Sequence, residues 1–251
     1  MSSILSEPLR ASTDTPIPTA CRRATGSTSK TRIVHLSLGT NVGGLEKLLV
    51  DFSRFTDQKC FELAFVSLQS KGKLAAEIEQ QICPVYAIDN PPGFRPGLII
   101  KLARQLRQLR ASVLHTHNSA ALIYGVMAGS LARVPRIIHT RHGQRFHSTS
   151  RETWLFRVLS KLTYRVVNVS EDGRQLSLKE GVRADRNCVI HNGVDLSRFP
   201  YVGPNPSGPA VLVARLSPEK DVSTLLQAMR HVSQMLGPHK KFKLEIAGDG
   251  E

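Results

Sequence analysis

Arg215 and Lys220 are the residues whose type and spacing speak most directly of chemistry. They stand in Val211–Lys220 (VLVARLSPEK), where a short apolar strand ends in an arginine and a Ser-Pro-Glu turn follows. A lysine then opens an amphipathic run from Asp221 to Met235. Two fixed cations beside a helix N-terminus form a site for a diphosphate. Gly43-Gly44 opens another helix, and bare glycines there leave backbone N–H groups open to an anion. The combination points to an enzyme whose leaving group is a nucleoside diphosphate. Read blandly, the glycines make an ordinary strand-to-helix turn and the two cations are surface charges. The glycine spacing departs from Gly-x-Gly-x-x-Gly, so a nicotinamide dinucleotide site is disfavoured.

Four histidines, His115, His117, His139 and His142, fall at the carboxyl ends of two consecutive predicted strands. In a parallel sheet that edge is where ligands bind. No carboxylate or cysteine accompanies them, so no metal is expected. Capping and strand-end hydrogen bonding account for His115 and His139. His142, followed by a glycine that permits close approach, is the functional candidate.

The elements that must position these residues alternate. Strands are predicted over Arg32–Leu38, Phe61–Leu68, Pro84–Ile88, Ser112–His115, Arg136–Thr140, Arg165–Val169 and Cys188–His191. Between them helices are predicted over Leu45–Phe55, Leu74–Gln81, Leu98–Arg110, Ser119–Leu131 and Thr153–Thr163, with Ser170 as a further N-cap. Short apolar strands alternating with helices specify an α/β fold with a doubly wound parallel sheet. Pro200–Pro209, rich in proline, reads as a linker. The pattern then restarts with strand Ala210–Ala214, helix Val222–Leu236 and strand Phe242–Ile246. The expected organisation is a disordered tail over 1–30, a first domain over 31–200, a linker over 201–208 and the start of a second domain over 209–251. The last is too short to fold alone, so the sequence reads as a truncated protein.

The chain has 251 residues, 41% of them hydrophobic, and a net charge of +14. That balance favours acidic partners. Arg133, Arg136, Arg141, Arg145, Arg151, Arg157, Lys161 and Arg165 form a basic region opposed by Glu152 alone, suited to peripheral contact with an anionic membrane. No nucleic-acid module is recognisable and aromatics are sparse at 6%, so no nucleic-acid partner is expected. There is no apolar run of about 20 residues to span a membrane. The four cysteines are widely spaced and fit a reducing, cytoplasmic setting.

Taken in order, several motifs resemble glycosyltransferase family 4, the retaining nucleotide-sugar enzymes of GT-B fold. They are Gly43-Gly44-Leu45-Glu46-Lys47, His115-Thr-His117-Asn118, His139-Thr-Arg-His142-Gly143, Val169-Ser170, Val189 to Asp195 with Phe199, Ala214 to Lys220, and Ile246 to Glu251. The resemblance implies a Rossmann-like first domain that binds a glycan or glycolipid acceptor and a second that binds the nucleotide sugar. It implies that Arg215 and Lys220 hold the donor diphosphate, that Gly43 and Gly44 approach it, and that His142 contacts the transferred sugar or its phosphate as the catalytic group. His117, Asn118 and Arg141 would line the acceptor cleft, and Asn192, Gly193 and Asp195 would form a hinge. Glu46 would be helix-start structure. No metal or other cofactor is implied. The family's later Glu-x7-Glu element is not found up to Glu251, which leaves a non-catalytic basic Rossmann-fold binding fragment as the alternative, ahead of a nucleic-acid-binding protein.

Overall fold

The computed structural model describes residues 30–41, 43–89, 93–143, 149–203, 208–237 and 243–250. The expected tail, apart from Lys30, therefore lies outside the described residues. So do parts of the loops 90–97 and 144–151, and part of the 201–208 linker. The chain divides into two compact units, one running to Gly193 and the other from Val194.

The first unit alternates strand and helix. In order it contains β1 (Thr31–Ser37), α1 (Gly44–Phe55), β2 (Phe61–Ser67), α2 (Ala75–Glu79), β3 (Val85–Ala87), α3 (Pro96–Gln108) and β4 (Val113–Thr116). Then follow α4 (Ser119–Ala132), β5 (Arg136–Arg141), α5 (Ser150–Ser160), β6 (Arg165–Asn168), α6 (Glu171–Lys179) and β7 (Asn187–Val189). The strands form one parallel sheet in the order β3-β2-β1-β4-β5-β6-β7. The chain winds outward from β1 in one direction, then returns to β4 and winds the other way. The junction of β1 and β4 is thus the topological switch point, where the loops after the two strands diverge and leave a crevice.

Alternation along the strands sends side chains to two cores. Leu49 and Val50 of α1, Phe65 of β2 and Ile78 of α2 pack together in one. On the other core Val34, Leu36 and Leu114 meet Leu102 and Leu106 of α3 and Leu122 and Val126 of α4. Helix α4 is held by this burial. Its two glycines, Gly125 and Gly129, each cost about 1 kcal/mol of helix propensity, while each fully buried leucine or valine contributes about 2 kcal/mol. The glycines are there for proximity. A Cβ at Gly125 would lie 2.5 Å from Thr116 Cγ2 and 3.0 Å from Leu36 Cδ2, and one at Gly129 would lie 2.9 Å from Ile137 Cδ1. The small residues of α4 thus bring it directly onto β4, β1 and β5.

Some boundaries differ from expectation for local reasons. Helix α5 starts at Ser150, ahead of Thr153, because Thr149 and Glu152 form a reciprocal capping box. It stops at Ser160, where Thr163 Oγ1 donates to the Ser160 carbonyl at 2.8 Å. Helix α3 begins at Pro96, whose missing N–H is harmless in a first turn. It ends before Arg110, which takes a left-handed φ of 48°.

In the second unit β8 (Ala210–Val213) pairs in parallel with β9 (Leu244–Ala247), and α7 (Val222–Leu236) connects them. Asp221 caps α7 from a left-handed φ of 45°, its Oδ1 accepting from Thr224 N at 3.4 Å. The loops after β8 and β9 touch closely: a Cβ at Gly248 would overlap the Ala214 carbonyl, and Leu216 N donates to the Asp249 carbonyl at 2.8 Å. Among the described residues, no helix is long and apolar enough to cross a membrane.

Gly125→Ala should lower the stability of the first unit. The gain in helix propensity is about 1 kcal/mol, but the β-branched Thr116 in mid-sheet cannot yield, and overpacking of this kind costs about 1–3 kcal/mol. A denaturant midpoint equal to or above that of the wild type would contradict this contact.

Candidate active site

The carboxyl edge of the sheet at the β1/β4 switch point carries the functional candidates. Parallel pairing sets His35 of β1 opposite His115 of β4, and a period of two along β4 puts His117 on the same face as His115. The three rings cluster. The His35 and His117 centroids are 5.2 Å apart and nearly coplanar, and those of His115 and His117 are 4.1 Å apart. Phe52 of α1 and Phe65 of β2 stack on His35 at 5.2 and 4.9 Å.

The pleat separates the four predicted histidines. His139 is in register with Thr116, on the opposite face, and its Nδ1 lies 2.9 Å from Thr116 Oγ1. His115 Nε2 lies 2.7 Å from Thr140 Oγ1. Both therefore make the strand-end hydrogen bonds expected of them. His117, 1% exposed, uses both ring nitrogens on other imidazoles: Nε2 lies 2.9 Å from His35 Nδ1, and Nδ1 lies 3.0 Å from His142 Nε2. His142 Nδ1 is buried and has no hydrogen-bond partner among the described residues.

Burial lowers the basicity of His35, His115, His117 and His142. Desolvation takes His35 to about 3 and His142 to about 4. His115 and His117 lie well below the ordinary imidazole value, first through desolvation and then through their neighbouring imidazoles. At neutral pH the cluster is uncharged. Nitrogens of His35, His115 and His117 lie within 4.8 Å of one another, a spacing a metal ion could use. Yet His117 already has both nitrogens satisfied, and a cation there would have to displace its hydrogen bond to His35.

A cavity of about 260 Å³ opens beside the cluster. Its walls include Leu45, His117, Asn118, Arg141, His142, Phe156 and Glu180. Leu45 brings the start of α1 to this cavity, directly after the glycine pair. Gly43 is the N-cap in an extended conformation, φ −168°, that any residue can adopt, and no side chain caps the helix. A Cβ there would lie 2.3 Å from Glu46 Oε2, whereas Gly44 faces open space. Glu46 is thus folded over the helix start, as expected of a structural residue.

Asn118 also serves structure, its Oδ1 capping α4 by accepting from Ala121 N at 2.9 Å. Arg141 corrects the surface reading. It is 9% exposed, its two terminal nitrogens reach Glu180 at 2.5 and 3.2 Å, and its guanidinium stands 5.4 Å from the Phe156 ring centre. It walls the cavity as a neutralised pair and drops out of the exposed basic region. Two further supports have no obvious sequence signal. Thr40, buried after β1, accepts from Gly72 N through Oγ1 at 2.8 Å, and its carbonyl accepts from Leu74 N at 3.0 Å. A Cβ at Gly72 would lie 2.3 Å from the Thr40 carbonyl carbon. The loop after β2 therefore braces the loop that leads into Gly43.

Residues 42–198 match the model of Glycosyltransferase Family 4. The chain belongs to that family. A curated relative from Escherichia coli, UDP-Gal:alpha-D-GlcNAc-diphosphoundecaprenol alpha-1,3-galactosyltransferase, is 27% identical over 89% of this chain and 63% of its own length. Among solved structures, Anabaena Alr3699/HepE in complex with UDP and glucose superposes with a TM-score of 0.66 at 21% identity, covering 88% of this chain and 62% of that one. A glycosyltransferase from Rickettsia africae gives 0.69 at 17% identity, covering 88% and 61%. At these identities the likeness is one of fold, the α/β GT-B type. The chain spans a little under two thirds of the length of these relatives.

The remaining predicted residues of this family 4 chain lie at or beyond the unit boundary. Asn192 and Gly193 are exposed just before it, and Asp195 accepts from Ser197 N at 3.1 Å. Arg215 and Lys220 are exposed, Arg215 shortly after β8 and Lys220 at the end of a 3-10 turn that precedes α7. Between them Ser217 Oγ is buried without a partner among the described residues.

The neutral histidines make the fold acid-labile. An imidazole kept neutral in the fold but free to charge on unfolding contributes stability that is complete above about pH 6.5. That stability is lost as pH falls toward the folded values, about 3 for His35 and about 4 for His142. Within this window each such histidine removes about 1.4 kcal/mol per pH unit. Denaturant melts should show stability falling steeply from pH 6.5 to 5; equal midpoints at the two values would exclude a buried, neutral cluster.

Proposed function

We propose that this chain takes part in retaining transfer of a sugar from a nucleoside-diphosphate donor to a lipid-linked glycan acceptor, at the cytoplasmic face of a membrane. The observation that carries this reading is the cavity at the sheet's switch point. There the uncapped start of α1 and His142, whose Nδ1 is buried and unpartnered among the described residues, come to the same opening. The difficult feature of such a reaction is negative charge building on the departing diphosphate. Backbone N–H groups at Gly43 and Gly44 answer it in the first unit, and Arg215 and Lys220 in the second, by preorganised charge without a metal. His142, neutral, contacts the sugar or its phosphate as a hydrogen-bonding group. Asn192, Gly193 and Asp195 serve as the hinge segment. His117, Asn118 and Arg141 shape the acceptor side of the cavity.

Two relatives support the donor and acceptor classes. The E. coli relative is named for UDP-galactose and a diphosphoundecaprenol-linked acceptor, and the Anabaena structure holds UDP and glucose. A lipid-linked acceptor also suits the exposed Arg133, Arg136, Arg151, Arg157, Lys161 and Arg165, which share their region with exposed Trp154, Leu162 and Tyr164. Such a surface attracts anionic head groups at about 1 kcal/mol per basic residue.

The test is a panel of UDP- and GDP-sugars, with UDP-galactose first, offered with an undecaprenyl-diphosphate-linked acceptor while binding and transfer are followed. Arg215→Ala and Lys220→Ala should each cost about 10²–10³-fold in transfer rate, and a chelator should leave the rate unchanged. Absence of binding, hydrolysis and transfer with every donor would sink the reading and favour a basic binding fragment.

Gly43→Ala gives a second check. The extended φ accepts alanine and the tip of Glu46 can swing aside, so the melting midpoint should stay within about 0.5 kcal/mol of wild type. Donor affinity should fall about tenfold or more as the methyl group blocks the helix start. Unchanged affinity would remove Gly43 from the site.

A further inference from the structure

His35, His117 and His142 form one continuous hydrogen-bonded file, from the core of the sheet to the wall of the cavity. His35 Nδ1 lies 2.9 Å from His117 Nε2, and His117 Nδ1 lies 3.0 Å from His142 Nε2. His35 and His117 are 5% and 1% exposed. At the far end the file stops at His142 Nδ1, buried and unpartnered among the described residues, on a residue that lines the cavity.

A neutral imidazole has one N–H and one lone pair. His117 has both nitrogens engaged, so it must donate at one and accept at the other. The file can therefore run in only two ways. If His35 donates from Nδ1, His117 donates from Nδ1 in turn, His142 accepts at Nε2, and His142 carries its proton on Nδ1. If His35 accepts, every ring reverses and His142 offers a lone pair instead. The three tautomers are thus coupled, and the one His142 presents can change only if His117 and His35 change with it. His115 stands beside this file and outside it, since its Nε2 is engaged by Thr140.

We propose that His35 is a positioning residue that donates from Nδ1 and so holds His142 as a neutral Nδ1–H donor to the ligand. The choice of direction rests on the function proposed above. Phosphoryl oxygens accept hydrogen bonds and cannot donate them, so a cavity that receives a sugar phosphate needs a donor at its wall. A buried ring nitrogen with no partner is rare enough in folded proteins to mark a position reserved for a ligand. Phe52 and Phe65, stacked on His35, hold its ring in the plane that aims Nδ1 at His117.

The experiment is a long-range ¹H–¹⁵N correlation spectrum of the histidine side chains at pH 7.5, with His142 assigned by its loss in His142→Gln. It needs no substrate, so its outcome is independent of the donor and acceptor assignments. The wild-type protein should show His142 protonated on Nδ1. His35→Phe removes the donor and should move the His142 proton to Nε2. His35→Asn, whose side-chain amide can donate from the place of Nδ1, should keep it on Nδ1. In transfer assays His35→Phe should lower kcat about 10–100-fold with KM little changed, and His35→Asn should recover most of that loss. A wild-type His142 protonated on Nε2 would overturn the proposal, and that spectrum decides even if His35→Phe fails to fold. A His142 tautomer unmoved in a folded His35→Phe or His35→Leu would also overturn it.

Discussion

The register that places His35 opposite His115 is the constraint on which the site depends. Parallel strands end on a common edge, and their side chains alternate with a period of two. Once β1 and β4 pair in this register, His35, His115 and His117 must share a face, while Thr116 and His139 must share the other. A slip by one residue would send the imidazoles toward α4, where glycines leave no room for a Cβ, let alone a ring. Tight contact of α4 on one face and Phe52 of α1 on the other therefore holds the register that assembles the cluster.

Burying several imidazoles together is unusual and is tolerated because each is neutral and finds a partner. An isolated buried imidazolium would carry a large desolvation penalty. The cluster avoids it by giving up its proton affinity. A single full charge, Arg141, is buried at the same wall, and it follows the opposite rule: it stays ionised because Glu180 meets it with two hydrogen bonds. The cavity thus combines uncharged hydrogen-bonding groups with a neutralised ion pair and a helix start that no side chain caps. An anionic ligand there would find N–H groups ahead of free cations.

Much of the fold was legible because alternation of short apolar strands with helices is a local signal. His117 and His142 stood out as ionisable residues at strand ends, Gly43 as a glycine that opens a helix, and Arg141 through the family motif His139-Thr-Arg-His142-Gly143. His35 did not stand out. Within RIVHLSL it looks like one polar residue of a half-buried strand, and only pairing with a strand far along the chain gives it neighbours. Glu180, Thr40 and Gly72 were hidden for the same reason, since each acts through a contact distant in sequence. The start of α5 is a different case: the Thr149-x-x-Glu152 spacing is a local cap signature that starts the helix at Ser150, four residues ahead of its first apolar residue, Trp154.

Gly72 has a consequence for how this protein can vary. Its backbone lies against that of Thr40 and Asn41, so the loops after β1 and β2 share one space and one set of hydrogen bonds. Neither can lengthen, shorten or be exchanged alone without displacing the other. In descent, and equally in any transplant of donor preference between relatives, these two loops would have to travel together as a single heritable module.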